Sequence, residues 1–319
     1  MKRIAISIGD PNGIGPEISL KATQQPPADT ELLFVGDRQL LEQQAASLGL
    51  ALNGKVLEVP GHAVTAHPGQ ISAEAGAASF AWVERGIDAC LQGEADALVT
   101  APISKQAWME AGLDYPGHTE LLAERCGTNR FGMMLMGKGL RVFLATRHLP
   151  LKQVAEQLSE QDIRLAVDLL QEALPLLGAP EARIALCGLN PHAGDGGAIG
   201  MEEQDWILPL AEQIRQEGAS LFGPLPADTV FHQAVHLQQF DAVIALYHDQ
   251  GLGPLKLWAF DEGVNLTLGL PLYRCSPDHG TAFAIAGQGL ARADSMQAAL
   301  DCAASLCNTP NPWTLNPSV

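Results

Sequence analysis

Basic side chains are scarce in this chain: 19 Lys and Arg stand against 36 Asp and Glu, a formal net charge of −17. A field of that sign repels phosphodiester backbones and anionic lipid, so it argues against nucleic-acid and membrane partners. A small anion held in a local basic pocket stays possible. Cysteine is also sparse. The six, Cys90, Cys126, Cys187, Cys275, Cys302 and Cys307, include no C-x-x-C pair, which points to a reduced, cytoplasmic protein and not to a disulfide scaffold. No stretch approaches the roughly 20 apolar residues of a membrane helix. The short apolar run after Met1 alternates into Gly9-Asp-Pro and reads as a first strand, not a secretion signal. There is no Walker A sequence, no G-x-G-x-x-G and no G-x-S-x-G elbow, so P-loop, Rossmann-fingerprint and serine-hydrolase readings have no support.

What is present is an alternation of strand and helix. Ile4–Ile8, Leu32–Val35, Ala95–Val99, 183–187 and 241–246 read as buried strands. Residues 73–92 read as a helix stopped by Gly93. A second helix follows an N-cap at Ser159-Glu-Gln-Asp162 and carries Ile163, Ala166, Val167, Leu170, Ala173 and Leu174 on one face, and 230–239 is helix-like. This order predicts an α/β fold with a largely parallel sheet. At 319 residues, two domains are expected. Thr309 to Val319 contains three prolines and reads as an irregular tail.

Three apolar runs each end in a histidine: Arg141 to His148, Arg183 to His192 and Asp241 to His248. In open α/β sheets the strand carboxyl ends form the ligand crevice. Imidazoles brought there from three strands, His148, His192 and His248, would bind a divalent metal and leave positions open for substrate. All-imidazole ligation suits Zn, Co, Ni or Fe better than Mg or Mn. Asp195, in the glycine-rich run after His192, is placed to orient that histidine or to contact substrate.

With cations so few, their placement is informative. Lys256, Asn265 and Arg274 lie in or beside the apolar stretch from Leu252 to Leu272, where a cation must reach solvent or find an anion. Together they suggest a basic pocket for an anionic substrate. Pro116-Gly-His118-Thr119-Glu120 opens a helix at Thr119 or just beyond, a plausible anion or hydroxyl contact. Asp278 to Gly289 is rich in small residues that let backbone approach a flat ligand.

These segments resemble the 4-hydroxythreonine-4-phosphate dehydrogenase family of pyridoxal phosphate biosynthesis. The resemblance runs from Ile8-Gly-Asp-Pro-Asn-Gly-Ile-Gly-Pro-Glu17 to Ala286-Gly287. It includes Thr100-Ala-Pro-Ile-Ser-Lys105, Gly117-His-Thr-Glu120, His148-Leu-Pro-Leu151, Asn190 to Gly197, Ala227-Asp-Thr229, Tyr247 to Leu252 and Ser276 to Ala282. It implies a two-domain isocitrate/isopropylmalate dehydrogenase-like fold in α/β/α layers, with the active site in the interdomain cleft. A discontinuous cofactor domain would be 1–115 plus 250–319, and a metal, substrate and dimerisation domain 116–249. It implies metal ligands His148, His192 and His248 and substrate contacts His118, Thr119, Lys256, Asn265 and Arg274. The cofactor loop would include His279, Gly280, Thr281, Ala282 and Gly287.

The implied cofactors are a divalent metal (Zn, Co or Mg) and NAD or NADP, and the implied assembly is a homodimer that shares its active site between subunits. The implied reaction is oxidation of 4-phosphooxy-L-threonine at C3, then decarboxylation to 3-amino-2-oxopropyl phosphate. Lys256, Asp228 and Asp249 are the expected catalytic side chains, with one of the two aspartates relaying the hydroxyl proton. Two positions depart from the family pattern: Ala284 replaces the usual Asp, which opens the choice between NAD and NADP, and Asp195 replaces a more common Glu. The rival readings are a paralogous dehydrogenase of 4-phosphothreonate or 4-phosphoerythronate, and a non-redox metal-dependent lyase or hydrolase.

Overall fold

The computed structural model describes residues 1–314. The described residues divide into two units, 1–129 with 264–314, and 130–263. The junctions fall at 130 and 264 instead of the 116 and 250 expected from sequence. Residues 118–125 form a helix that packs in the first unit, and 248–259 form one that packs on the strands of the second. His118 and Thr119 therefore belong to the first unit, and Lys256 to the second.

The first unit holds β1 (Lys2–Ser7), β2 (Thr30–Val35), β3 (Lys55–Leu57), β4 (Ala97–Thr100), β10 (Val264–Leu268) and β11 (Tyr273–Pro277), in spatial order β3-β2-β1-β4-β11-β10. All neighbours are parallel except β10 against β11. Its helices are α1 (Gly15–Ala22), α2 (Arg38–Leu48), α3 (Ala73–Leu91), α4 (Lys105–Glu110), α5 (His118–Arg125) and α11 (Asp294–Leu306). Ile4, Ala5 and Ile6 are all buried. A strand with both faces covered has no polar side to alternate with, which is why β1 reads as a continuous apolar run. Ser72 caps α3 by accepting from the Ala75 N–H at 3.2 Å. Gly93 follows that helix at φ 72°, a left-handed position that glycine adopts without steric cost.

The second unit holds β5 (Gly132–Gly137), β6 (Leu140–Leu144), β7 (Ile184–Cys187), β8 (Leu221–Leu225) and β9 (Ala242–Ala245), in order β5-β6-β9-β7-β8. β5 and β6 are antiparallel, and the remaining pairs are parallel. Its helices are α6 (Leu151–Gln157), α7 (Glu160–Ala173), α8 (Leu208–Gln216), α9 (Ala227–Val235) and α10 (His248–Ala259). Ser159 and Asp162 form a reciprocal capping box at the start of α7, whose Ile163, Ala166, Val167, Leu170 and Ala173 are buried. Val142, Leu144, Ala185, Val230, Val243, Leu252 and Leu255 form one core cluster beneath the sheet. The helix expected over 230–239 lies earlier, at Ala227–Val235, and Gln238 beyond it takes φ 52°, which ends helical propagation. Of the tail, 309–314 contains no helix or strand, and 315–319 lies outside the described residues. No helix among the described residues is long and apolar enough to cross a membrane.

Candidate functional site

In the second unit, β6, β9 and β7 are adjacent and parallel, so their carboxyl ends share one edge of the sheet. Each leads to one of the three histidines. His248 is the first residue of α10, and its ring centroid stands 5.7 Å from that of His148. Asp249 Oδ1 is 2.6 Å from His248 Nδ1. A carboxylate on Nδ1 fixes the ring's orientation and leaves Nε2 for a metal. Arg147, His148, Leu151, Tyr247, His248 and Asp249 line a pocket of about 300 Å³.

His192 sits differently. His192, Ala193 and Asp195 take φ values of 54°, 54° and 45°, in a left-handed turn shared with Gly194 and Gly196. Side-chain-bearing residues pay for that conformation, and only a turn held from outside keeps it. The brace is Glu203, which is 1% exposed. Its Oε1 accepts from the Asn190 N–H at 2.7 Å, and its Oε2 from Asn190 Nδ2 at 2.8 Å. A Cβ on Gly194 would come within 2.8 Å of that carboxylate, so glycine is required there. Gln250 links the neighbouring strand ends, accepting from the Leu246 N–H and donating to the Gly188 carbonyl, both at 2.7 Å. The structure thus brings His148 and His248 together, with His192 on the braced turn beyond the adjacent strand. Among the described residues no three His, Cys, Asp or Glu side chains stand close enough to hold a metal as they are. Asp195 is exposed on the same turn, and Asp228 is exposed in the first turn of α9. Lys256, toward the end of α10, has its ammonium 5.6 Å from the Phe260 ring centroid.

In the first unit the organising residue is Arg274, on β11 and 2% exposed. Its Nε and Nη2 donate to Thr100 Oγ1 at 3.2 and 2.6 Å, and its Nη1 to Thr267 Oγ1 at 3.2 Å. Among the described residues no carboxylate lies within 4.0 Å of it, and burial pulls it down to about 10, which still leaves it charged at neutral pH. Thr267 and Asn265 alternate on β10, so both side chains project to one face of the strand. Asn265 Oδ1 is sealed from solvent without a hydrogen-bond partner, as are His118 Nε2, Ser7 Oγ and Asp10 Oδ2. His118 opens α5, one residue earlier than expected, with Thr119 buried behind it. The imidazole of His118 is held well below the ordinary histidine range, first by burial and then by the charges of Arg274 and Lys105, and it rests edge-on against Trp108. This is a neutral histidine beside an unanswered guanidinium, an arrangement suited to an anionic ligand.

The loop from His279 to Gly287 is also in this unit. His279, Gly280, Ala282 and Gly287 are exposed, and Thr281 is half-buried. The Gly9–Glu17 turn holds this loop: the Ile14 N–H donates to the Thr281 carbonyl at 2.9 Å, and Gly13 packs where a Cβ would meet Thr281 at 2.9 Å. Asn12 secures a second segment beside it. Its Oδ1 accepts from the His67 N–H at 2.6 Å and its Nδ2 donates to the Gln70 carbonyl at 2.8 Å. Glu17, fully buried, accepts from Lys21 Nζ and from the Ala291 N–H, each at 2.8 Å, and so anchors the chain just after the loop. Ala284 is exposed and offers only a methyl group. Glu203, Gln250, Asn12 and Lys105 were not singled out by sequence reasoning. Glu203 carries no local pattern, and Gln250, Asn12 and Lys105 stood inside quoted motifs without a role.

The family model described as "Pyridoxal phosphate biosynthetic protein PdxA" matches residues 28–303. A 4-hydroxythreonine-4-phosphate dehydrogenase of Synechocystis sp. is 44% identical over 334 aligned positions, which cover 96% of both chains. One of Ruegeria sp. is 43% identical and covers 97% of this chain and 98% of its own. Among solved structures, the 4-hydroxythreonine-4-phosphate dehydrogenase of Klebsiella pneumoniae matches with a TM-score of 0.85 at 36% identity, over 96% of this chain and 100% of that one. A terephthalate 1,2-cis-dihydrodiol dehydrogenase of Burkholderia xenovorans matches with a TM-score of 0.67 at 31% identity, over 95% and 98%.

Proposed function

The chain belongs to the PdxA family of pyridoxal phosphate biosynthetic proteins, and on that premise we propose that it is a 4-hydroxythreonine-4-phosphate dehydrogenase. C3 of 4-phosphooxy-L-threonine gives its hydride to NAD+ or NADP+, while the hydroxyl on C3 gives its proton to the protein or solvent and becomes the ketone oxygen. The resulting β-keto acid loses CO2 to leave 3-amino-2-oxopropyl phosphate. The observation that carries this reading is the buried Arg274, charged and answered only by hydroxyls, in a chain whose relatives carry this name.

His118, Thr119, Asn265 and Arg274 are assigned to the substrate's anionic groups and hydroxyl, and Lys256 to a further polar contact. The donor set suits a borderline divalent metal such as Zn or Co: two imidazoles face each other, and one is oriented by Asp249. His148, His192 and His248 would hold it. Such a metal would supply Lewis acidity toward the substrate oxygen and toward the negative charge left by decarboxylation. His279, Gly280, Thr281, Ala282 and Gly287 are assigned to NAD or NADP. A Cβ on Gly280 meets nothing within 4 Å, so this stretch of the loop is open to a flat ligand. Asp249 or Asp228 is assigned the proton relay. Near-normal turnover and pH profile in both Asp249→Asn and Asp228→Asn would remove that assignment. A homodimer in the cytoplasm completes the reading, supported by the exposed apolar cluster of Leu257, Trp258 and Phe260 at the end of α10; sedimentation as a monomer at micromolar concentration would reject the dimer.

The test is reduced-cofactor formation by chelator-stripped protein with 4-phosphooxy-L-threonine, with divalent metals restored one at a time. Metal-dependent NADH or NADPH formation is expected. Turnover of 4-phosphothreonate or 4-phosphoerythronate in its place would assign the paralogous reaction, and failure to bind either nucleotide would end the dehydrogenase reading.

A further inference from the structure

The segment Thr100–Lys105 joins the end of β4 to the start of α4. Its first residue anchors Arg274, and its last, Lys105, has no assigned role. Lys105 Cε and Nζ lie 3.4 and 4.0 Å from the point where a Cβ on Gly117 would stand, which puts the ammonium against the turn that presents His118. Lys105 is exposed and, among the described residues, has neither a hydrogen bond nor an ion pair. Lys21, Arg85, Arg125 and Arg183, by contrast, all rest on carboxylates. A cation in the first turn of a helix is also electrostatically misplaced, because the amino end of the helix already carries positive charge. The helix dipole and ion pairing therefore give no reason for lysine at this position.

We propose that Lys105 is a second anion-holding residue of the site built on Arg274, its ammonium gripping the substrate's phosphate together with that guanidinium. The charges of Lys105 and Arg274 both bear on His118, the residue next to Gly117. Glu120 is the one carboxylate that bears on Arg274. Its Oε2 lies 3.7 Å from the same point beside Gly117, but it pairs with neither cation within 4.0 Å. Glu120 therefore leaves both cations without an ion-pair partner, and a phosphate of nearly two negative charges matches the two of them once it displaces water. Arg supplies a fixed planar fork and Lys a mobile point charge, a division of labour suited to a tetrahedral dianion. The identity of the phosphate bearer rests on the dehydrogenase reading; the anion-holding role of Lys105 does not.

Two measurements separate these. The first is titration of inorganic phosphate into the metal-free and cofactor-free protein, comparing wild type, Lys105→Met and Lys105→Arg. Loss of one charge-assisted contact predicts about tenfold or more weaker phosphate binding in Lys105→Met and substantial recovery in Lys105→Arg. The NMR titration midpoint of His118, assigned by its loss in His118→Asn, should move upward in Lys105→Met, which checks that the ammonium stands near that imidazole. The second is steady-state turnover, in which Lys105→Met should raise KM for 4-phosphooxy-L-threonine far more than it lowers kcat. Phosphate affinity and KM both unchanged in Lys105→Met would overturn the proposal while leaving the dehydrogenase reading intact. Lysine-dependent phosphate binding by a wild-type protein with no turnover of this substrate would instead reject that reading and keep Lys105 as an anion-holding residue.

Discussion

Arg274 Nη2 donates to Thr100 Oγ1 at 2.6 Å, so one hydroxyl on β4 takes two of the three hydrogen bonds of the buried guanidinium of β11. Thr100→Val keeps the shape and removes the acceptor. Two buried charged donors then lose their partner, since Nε uses the same oxygen. The expected cost is about 1–3 kcal/mol in chemical denaturation, together with a raised substrate KM. Thr100→Ser should restore most of both, and a Thr100→Val protein as stable as wild type would show that the hydroxyl is dispensable.

The His248–Asp249 contact at 2.6 Å leads to a separate expectation. Asp249→Asn retains an oxygen but loses the charge that orients and enriches the imidazole. Metal affinity, measured by competition with a coloured chelator, should fall roughly 10–100-fold. Unchanged affinity would place the metal elsewhere.

Asp10 is fully buried in the Gly9–Glu17 turn, and burial pushes its carboxyl up to about 6 against the lowering effect of the Asn12 N–H. A carboxyl raised in the folded state favours folding when protonated. Its contribution is complete below about 3.8, the unfolded value, and is lost as pH rises through about 6. Asp10→Asn keeps the oxygen that Asn12 uses and removes the buried charge. The variant should therefore be more stable than wild type at pH 8, on the order of 2–3 kcal/mol, and nearly equal to it at pH 4. Denaturant melts at the two pH values test this, and a constant difference between them would refute it.

Glu203 holds the left-handed His192 turn through both carboxylate oxygens. Glu203→Ala leaves the half-buried Asn190 N–H without its acceptor and leaves Asn190 Nδ2 with Glu202 alone. A loss of about 2–4 kcal/mol is expected from two charge-assisted bonds, with new protease cleavage between 190 and 200. Normal stability with an intact turn would mean that the left-handed backbone holds itself.

Local elements were readable because their determinants are local. The Ser159–Asp162 box lies within four residues, the apolar face of α7 recurs with helical period, and buried strands such as β1, β4 and β9 are short apolar runs between turns. The three strand-end histidines were legible for the same reason, since each follows its strand directly. The bonds that position the site are not local. Glu17 reaches Ala291, Arg274 reaches Thr100 and Gln250 reaches Gly188. Nothing in the intervening residues encodes those meetings, and the junctions at 130 and 264 were missed because α5 and α10 choose their unit by packing.

The sequence by itself determined the α/β class, the capped helices, the strand-end histidines and the family, because these depend on residue order and short-range pattern. Only the tertiary structure decided that Arg274 is buried with no ion pair among the described residues, that the charges of Arg274 and Lys105 bear on His118, and that His192 rides on a turn braced by Glu203. Burial and charge pairing depend on what the rest of the chain brings to a point in space, and neither property belongs to a residue before the chain has folded.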